Sequence, residues 1–174
     1  LGVWRAGAVY VPLFTAFGPK AIEYRLERSA ARLVVTDAVN RAKLDGIADT
    51  PLVMVVTRQP DETVCAGDID FHQALAAQTA EFTPVMLTAE DPFIMMFTSG
   101  TVGSAKGVAV PLKALPGFLV YMKYAIGVGP EDRFWNMADP GWAYGLFYAV
   151  AGPLLFGYAA HFYEGGFTAE STYQ

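Results

Sequence analysis

LVVTDAVNRAKLDGIADTPLVMVV, residues 33–56, sets two short runs of apolar and β-branched residues, 33–36 and 52–56, on either side of a polar turn at Asp37 and a helical candidate over residues 40–48. A strand, a short helical crossover and a second strand make the unit from which parallel sheets are built. Upstream, Gly18-Pro19 opens a helix in which Ile22, Leu26 and Ala30 recur at spacing four. Before it, GAVYVPL (residues 7–13) is an apolar, β-rich run stopped by Pro12, and LGVWRAG (residues 1–7) reads like the middle of a helix. The alternation predicts an α/β fold of layered, mainly parallel sheets flanked by helices. The runs are apolar throughout, which predicts strands buried on both faces.

Downstream the character changes. Residues 61–91 hold seven Asp or Glu and no Lys or Arg, with one helical candidate over about 70–79, so this stretch reads as an acidic surface excursion. Asp68 and Asp70 would be the ligands if a cation sat there, but nothing else converges on them. After Pro92 come the apolar run 93–97, a glycine-rich turn, a short apolar run 107–110 and a helix from about 112 to 125. Residues 141–163 pass without a formal charge. Gly145, Gly152, Pro153 and Gly157 inside that run, and the acidic flanks Asp139 and Glu164, favour a core helix over 145–156 and a strand over 159–163 rather than a membrane span.

Composition narrows the class of partner. Of 174 residues 53% are apolar and only 17% charged, against roughly 25% charged in an average domain, which predicts extensive burial. Twelve Lys and Arg against seventeen Asp and Glu leave a net charge of −5 and a pI near 4.9, which excludes a general electrostatic grip on nucleic acid or anionic lipid. The single Cys65 cannot close an internal disulfide, and with His72 and His161 it makes a poor zinc set. These three residues read as structural, in a reducing, cytoplasmic setting. The chain opens without an initiator Met or a secretory pattern and closes on Ser171-Thr172-Tyr173-Gln174 with no cap or terminal element, so it reads as one partial domain, 1–174, excerpted from a longer polypeptide.

The chemistry sits in Thr98-Ser99-Gly100-Thr101-Val102-Gly103-Ser104-Ala105-Lys106-Gly107, directly after one apolar run and before another. A simple hairpin needs two to five loop residues, and this connection is longer. Its glycines let backbone N–H groups converge, Thr98, Ser99 and Thr101 add hydroxyls, and Lys106 adds a mobile cation. Directional donors with an ammonium suit a polyphosphate. The alternative, a long polar connection with no ligand, stays open on spacing alone. It is not a Walker A loop, because Ala105 and Gly107 stand where that pattern needs Gly and a hydroxyl residue.

TSGTVGSAKGV resembles the phosphate-binding signature T-S-G-T-T-G-x-P-K-G of the AMP-forming, adenylate-forming superfamily, which includes acyl-CoA synthetases and adenylation domains. It departs at Val102, which replaces a hydroxyl residue, and at Ala105, which replaces the proline. LGVWRAGAVYVPL resembles an early helix-and-strand segment of the same superfamily, and Ala138-Asp139-Pro140-Gly141-Trp142-Ala143-Tyr144-Gly145 resembles the aromatic motif that follows the loop. With GPKAIEYRLERSAARLVVTD between them, the resemblance covers nearly the whole chain and is nearest the acetyl-CoA synthetase-like branch. It implies part of the N-terminal domain of an adenylate-forming enzyme, without the C-terminal lid domain.

The resemblance further implies activation of a short- or medium-chain carboxylic acid by ATP, with Mg²⁺, to an acyl-adenylate and then to a thioester of coenzyme A. Ser99, Thr101 and Lys106 would hold β- and γ-phosphate oxygens beside Thr98, with Gly100, Gly103 and Gly107 permitting close backbone approach. Trp142 and Tyr144 would wall the acyl pocket. No complete catalytic set falls within the chain, so the expected partners are the carboxylic acid and the remainder of its own polypeptide, and the fragment alone is expected to be inactive. A nucleotide-binding module on the same fold, keeping the loop without the chemistry, is the alternative that Val102 and Ala105 favour.

Overall fold

The computed structural model describes residues 1–98, 105–163, 165 and 168–173, which form two compact units, Leu1–Lys113 and Ala114–Gln174. In the first unit, α1 (Gly2–Arg5) and α2 (Pro19–Ser29) precede β1 (Leu33–Asp37), α3 (Ala38–Arg41), β2 (Leu52–Val56), β3 (Ile69–Asp70) and α4 (Phe71–Ala76). β1, β2 and β3 form a parallel sheet in that order, with Val34 opposite Val53 and Met54 opposite Ile69. α2 begins at Pro19, whose ring sets the helical φ at its first position, and ends at Ala30, which adopts a left-handed φ of 49°. Ile22 and Leu26 from α2 pack with Val34, Val53, Val55 and Leu44 into one core. Ala30, expected on the same stripe, is instead the exposed cap of the helix.

Several expectations change at this level. Only one face of β1 and β2 is covered: Leu33, Val35 and Leu52 are 44%, 53% and 63% exposed, because α2 packs on the opposite face with Val34 and Val53. The helix expected over 40–48 starts earlier, at Ala38, since the Asp37 carboxylate accepts the Asn40 backbone N–H at 2.8 Å and caps it. A 3₁₀ turn continues it to Leu44, and Gly46 at φ 77° ends it. Residues 7–13 form no strand. Gly7 sits at φ 70° and Pro12 lacks a donor, which leaves a single parallel bridge of Tyr10 to Ile94, with Tyr10 donating to Phe93 O at 3.0 Å and Met95 donating to Tyr10 O at 2.9 Å. The acidic excursion contributes β3, too short to leave any periodicity in the sequence.

The unit closes with β4 (Pro92–Thr98) and β5 (Lys106–Pro111), an antiparallel pair. Phe93, Ile94 and Met96 of β4 are buried, whereas residues 106–109 of β5 are exposed.

In the second unit α5 (Leu115–Tyr121) runs on into a wide π turn, Met122–Ile126. β6 (Phe134–Trp135) pairs in parallel with β7 (Ala160–His161). Between them α6 (Ala143–Gly145), a π segment Leu146–Ala151 and α7 (Gly152–Phe156) form one continuous helical stretch. Pro153 cannot donate to the preceding turn, and the widened segment ahead of it is where a helix absorbs that loss. Phe118 and Phe147 stack at 4.3 Å, and Met122, Leu146, Ala149 and Ala151 of the same unit are buried. The chain does carry a terminal element, α8 (Ala169–Tyr173): Thr168 and Ser171 exchange hydrogen bonds, Ser171 N–H to Thr168 Oγ1 at 3.0 Å and Thr168 N–H to Ser171 Oγ at 3.1 Å. Among the described residues no helix is long and apolar enough to cross a membrane.

Candidate functional site

β4 and β5 carry the two ends of the glycine-rich loop. Their register sets Thr98 opposite Lys106 and Phe97 opposite Gly107, so a hydroxyl residue entering the loop and the lysine leaving it are cross-strand neighbours. Both are exposed. A Cβ at Gly107 would lie 3.3 Å from Met95 Sδ and 3.4 Å from the Phe97 ring, so glycine lets those side chains lie over the strand. Ser99, Gly100, Thr101 and Gly103, the other loop residues the sequence singles out, lie outside the described residues.

α2 braces this hairpin. Tyr24 Oη donates to Ala105 O at 2.7 Å, and the Tyr24 ring meets Phe97 edge-on with centroids 6.3 Å apart. The Arg25 guanidinium lies 4.0 Å from the Phe17 ring centroid and 5.5 Å from that of Phe97, bridging the two by cation–π contact. Partial burial lowers the Arg25 pKa, an effect the neighbouring Tyr24 opposes.

Trp142 and Tyr144 belong to the second unit. Three bonds fold the segment before them: Ala138 N–H to Asn136 Oδ1 at 2.9 Å, Gly141 N–H to Asp139 Oδ1 at 2.6 Å, and Trp142 N–H to Asp139 O at 2.9 Å. This Asx turn launches α6 directly after Trp142. Gly145 then passes so close to the turn that a Cβ there would stand 2.2 Å from Asp139 O and 2.5 Å from Ala138 O. Trp142 and Tyr144 end up 48% and 46% exposed, half-covered aromatic surface rather than core. Tyr144 meets Tyr148 at 4.9 Å, and Tyr148 stacks on Tyr121 at 4.5 Å. Desolvation, then the Tyr121 phenol, raises the Tyr144 pKa, so both it and the similarly raised Tyr148 stay neutral well above physiological pH.

One feature escapes sequence reasoning. A cleft of about 330 Å³ opens at the C-terminal ends of β1 and β2, edged by Phe14, Thr15, Thr36, Asp37, Lys43 and Arg58. The Lys43 ammonium donates to Thr15 O, and Arg58 pairs with Asp37 at 3.3 Å. Lys43, Arg58 and Asp37 thus give the cleft a charged rim whose groups are engaged with one another or with backbone. The available signal was the polar break after β1, since parallel sheets place their ligand-facing loops at strand C-termini.

The two aspartates singled out in the acidic excursion, Asp68 and Asp70, have structural partners. Asp68 pairs with Arg41, whose pKa rises chiefly through that hydrogen bond, and Asp70 caps α4 by accepting Gln73 N–H at 2.8 Å. Among the described residues no three His, Cys, Asp or Glu gather as a metal site. Cys65 is exposed, and His72 Nε2 lies 2.8 Å from Thr57 O.

Comparison with known proteins matches the family model described as AMP-binding enzyme to residues 1–172. The acetyl-coenzyme A synthetase of Citrobacter koseri is 32% identical over 182 residues, covering 92% of this chain and 28% of that protein. The acetyl-coenzyme A synthetase of Bacillus subtilis is 31% identical over 175 residues, covering 99% and 30%. The chain thus spans less than a third of the length of the curated relatives it matches. The crystal structure of a Brucella canis acyl-CoA synthetase superposes with a TM-score of 0.93 at 56% identity, over 99% of this chain and 31% of that one. An anthranilate CoA ligase solved with anthranoyl-AMP superposes at 0.84 with 20% identity, over 99% and 33%, a likeness of fold alone.

Proposed function

Since the chain belongs to the AMP-binding enzyme family, we propose that the polypeptide of which it forms part is an acyl-CoA synthetase acting on a short- or medium-chain carboxylic acid in the cytoplasm. In this reading the chain is a piece of the large N-terminal domain and supplies the phosphate loop and part of the acyl pocket. The observation that carries it is the hairpin register, which sets Lys106 beside Thr98 at the mouth of the glycine-rich loop.

The reaction has two steps. A carboxylate oxygen attacks the α-phosphorus of ATP, the bond to the bridging oxygen breaks, and pyrophosphate leaves with the electron pair. The thiol sulfur of coenzyme A, losing its proton, then attacks the acyl carbon and AMP leaves. In the first step the protein's task is to hold three phosphates still while an anionic nucleophile approaches in line, so positioning and charge neutralisation do the work. Lys106 offsets charge on the departing pyrophosphate, and Ser99, Thr101 and Thr98 offer hydroxyls to its oxygens. Gly100, Gly103 and Gly107 leave room for the phosphates against the backbone. Trp142 and Tyr144 give the acid an aromatic wall whose phenol stays neutral beside a carboxylate. Mg²⁺, carried on ATP, would add to this charge neutralisation.

The test is carboxylate-dependent ATP–pyrophosphate exchange by the full-length protein, from acetate through hexanoate to benzoate, beside Lys106→Ala. Loss of one charge-assisted phosphate contact should lower exchange at subsaturating ATP by about tenfold or more. Exchange equal in the variant would remove Lys106 from this role. Val102 and Ala105 support a second reading, a nucleotide-binding module without chemistry, for which ATP binding without exchange would be the signature.

A further inference from the structure

We propose that Tyr24 is a positioning residue for Lys106. The inference rests on the reading that Lys106 meets the phosphates of ATP. It begins from a contact between residues 81 positions apart, the 2.7 Å hydrogen bond from Tyr24 Oη to Ala105 O. The Ala105 carbonyl and the Lys106 N–H belong to one planar peptide unit, so a donor that fixes the carbonyl direction also fixes the plane from which Lys106 departs. On the other side Lys106 is held by its pairing with Thr98. The lysine backbone is thereby clamped between a strand and a helix at the point where the chain leaves the loop.

The donor itself is delivered on a rigid element. Ile22 and Leu26, two residues to either side of Tyr24, are 6% and 7% exposed in the core and lock α2 in place. The Tyr24 ring rests edge-on against Phe97, the residue before Thr98, and the Arg28 guanidinium lies 5.5 Å from the Tyr24 ring centroid. The hydroxyl therefore has little freedom to seek another acceptor. The loop also carries alanine at position 105, so no ring restrains the backbone there, and the Tyr24 bond supplies a restraint at the same residue from outside the loop. A lysine Cα that wanders by an ångström costs a phosphate contact much of its value, so the expected consequence is on ATP rather than on the acid.

The experiment is a double-mutant cycle in the full-length protein with Tyr24→Phe, Lys106→Ala and the pair, read by Mg·ATP calorimetry and by ATP–pyrophosphate exchange. Tyr24→Phe keeps the ring contacts and removes only the hydroxyl. It should weaken Mg·ATP binding and raise KM for ATP about three- to tenfold, leave KM for the acid unchanged, and leave Tm within a degree or two. In the Lys106→Ala background the same change should add nothing, because a residue acting through the lysine loses its effect when the lysine is gone. Additive losses, an effect on the acid instead of ATP, or no effect would each overturn the proposal. If the wild type binds Mg·ATP but exchanges with no acid, the ligase reading falls while the calorimetric cycle still decides the role of Tyr24. A wild type that binds no Mg·ATP overturns both.

Discussion

Gly145 shows how much one missing side chain can decide. In the sequence it is merely a residue that weakens a helix, and its value appears only where the start of α6 crosses the 138–139 backbone. A methyl group 2.2 Å from a carbonyl oxygen must push one backbone segment off another, since neither Asp139 O nor Ala138 O is the flexible end of a side chain. Gly145→Ala should therefore cost about 3 kcal/mol, the range of core overpacking, and displace Trp142 and Tyr144, lowering both the urea midpoint and the near-ultraviolet circular dichroism. Gly157→Ala is the control. That glycine has φ 71° with open space about its Cβ position, so only conformational strain of about 1 kcal/mol applies. Equal losses in the two variants would refute the close-approach account. The types of the site residues Thr98, Lys106, Trp142 and Tyr144 were legible in the sequence, but Tyr24 was not. A tyrosine at a mid-helix position carries no sign that its hydroxyl will meet a carbonyl 81 residues away.

At the scale of elements, caps and breakers explain where helices begin and end. Asp37 is the last residue of β1 and the cap of α3, and its second oxygen receives Arg58 at 3.3 Å. Replacing it with alanine should destabilise the first unit by about 1 kcal/mol, most of it recovered by Asp37→Asn, which keeps a capping oxygen. Urea denaturation of the three proteins checks this, and an asparagine variant as unstable as the alanine one would transfer the effect to the Arg58 pair. The same carboxylate explains why the helix starts earlier, at Ala38, than the sequence predicts: a filled cap decides the first turn. The long helical stretch through residues 143–156 follows from its apolar run, whereas its π geometry needs the combination of Gly152-Pro153 with a neighbour to pack on. Strands of two residues, such as β3 and β6, exist only because a partner strand is there to pair with them.

For the molecule as a whole, apolar surface is the governing quantity. Leu33, Val35 and Leu52 on one face of the β1–β2 sheet are 44%, 53% and 63% exposed, and Val39 in the adjoining α3 is 79% exposed, so apolar side chains gather at the surface of the first unit. The 174-residue chain by itself is therefore expected to bind a hydrophobic dye such as ANS; on the function proposed above it is also expected to give no ATP–pyrophosphate exchange, whereas the longer polypeptide would exchange and bind little dye. An isolated chain that exchanged at the full rate would show that the adenylation site is complete within it.

The sequence by itself determined the α/β class, the apolar runs 33–36, 52–56 and 93–97 that lie in β1, β2 and β4, and the glycine-rich connection with its lysine, because hydrophobic period and turn chemistry are local properties of the chain. Only the tertiary structure decided that β4 and β5 pair antiparallel with Thr98 beside Lys106, that one face of the β1–β2 sheet stays uncovered, that α2 reaches the loop exit through Tyr24, and that a cleft opens at the C-terminal ends of β1 and β2. Each of those depends on which distant residues meet, and register and close approach are settled by packing between elements, which no local pattern encodes.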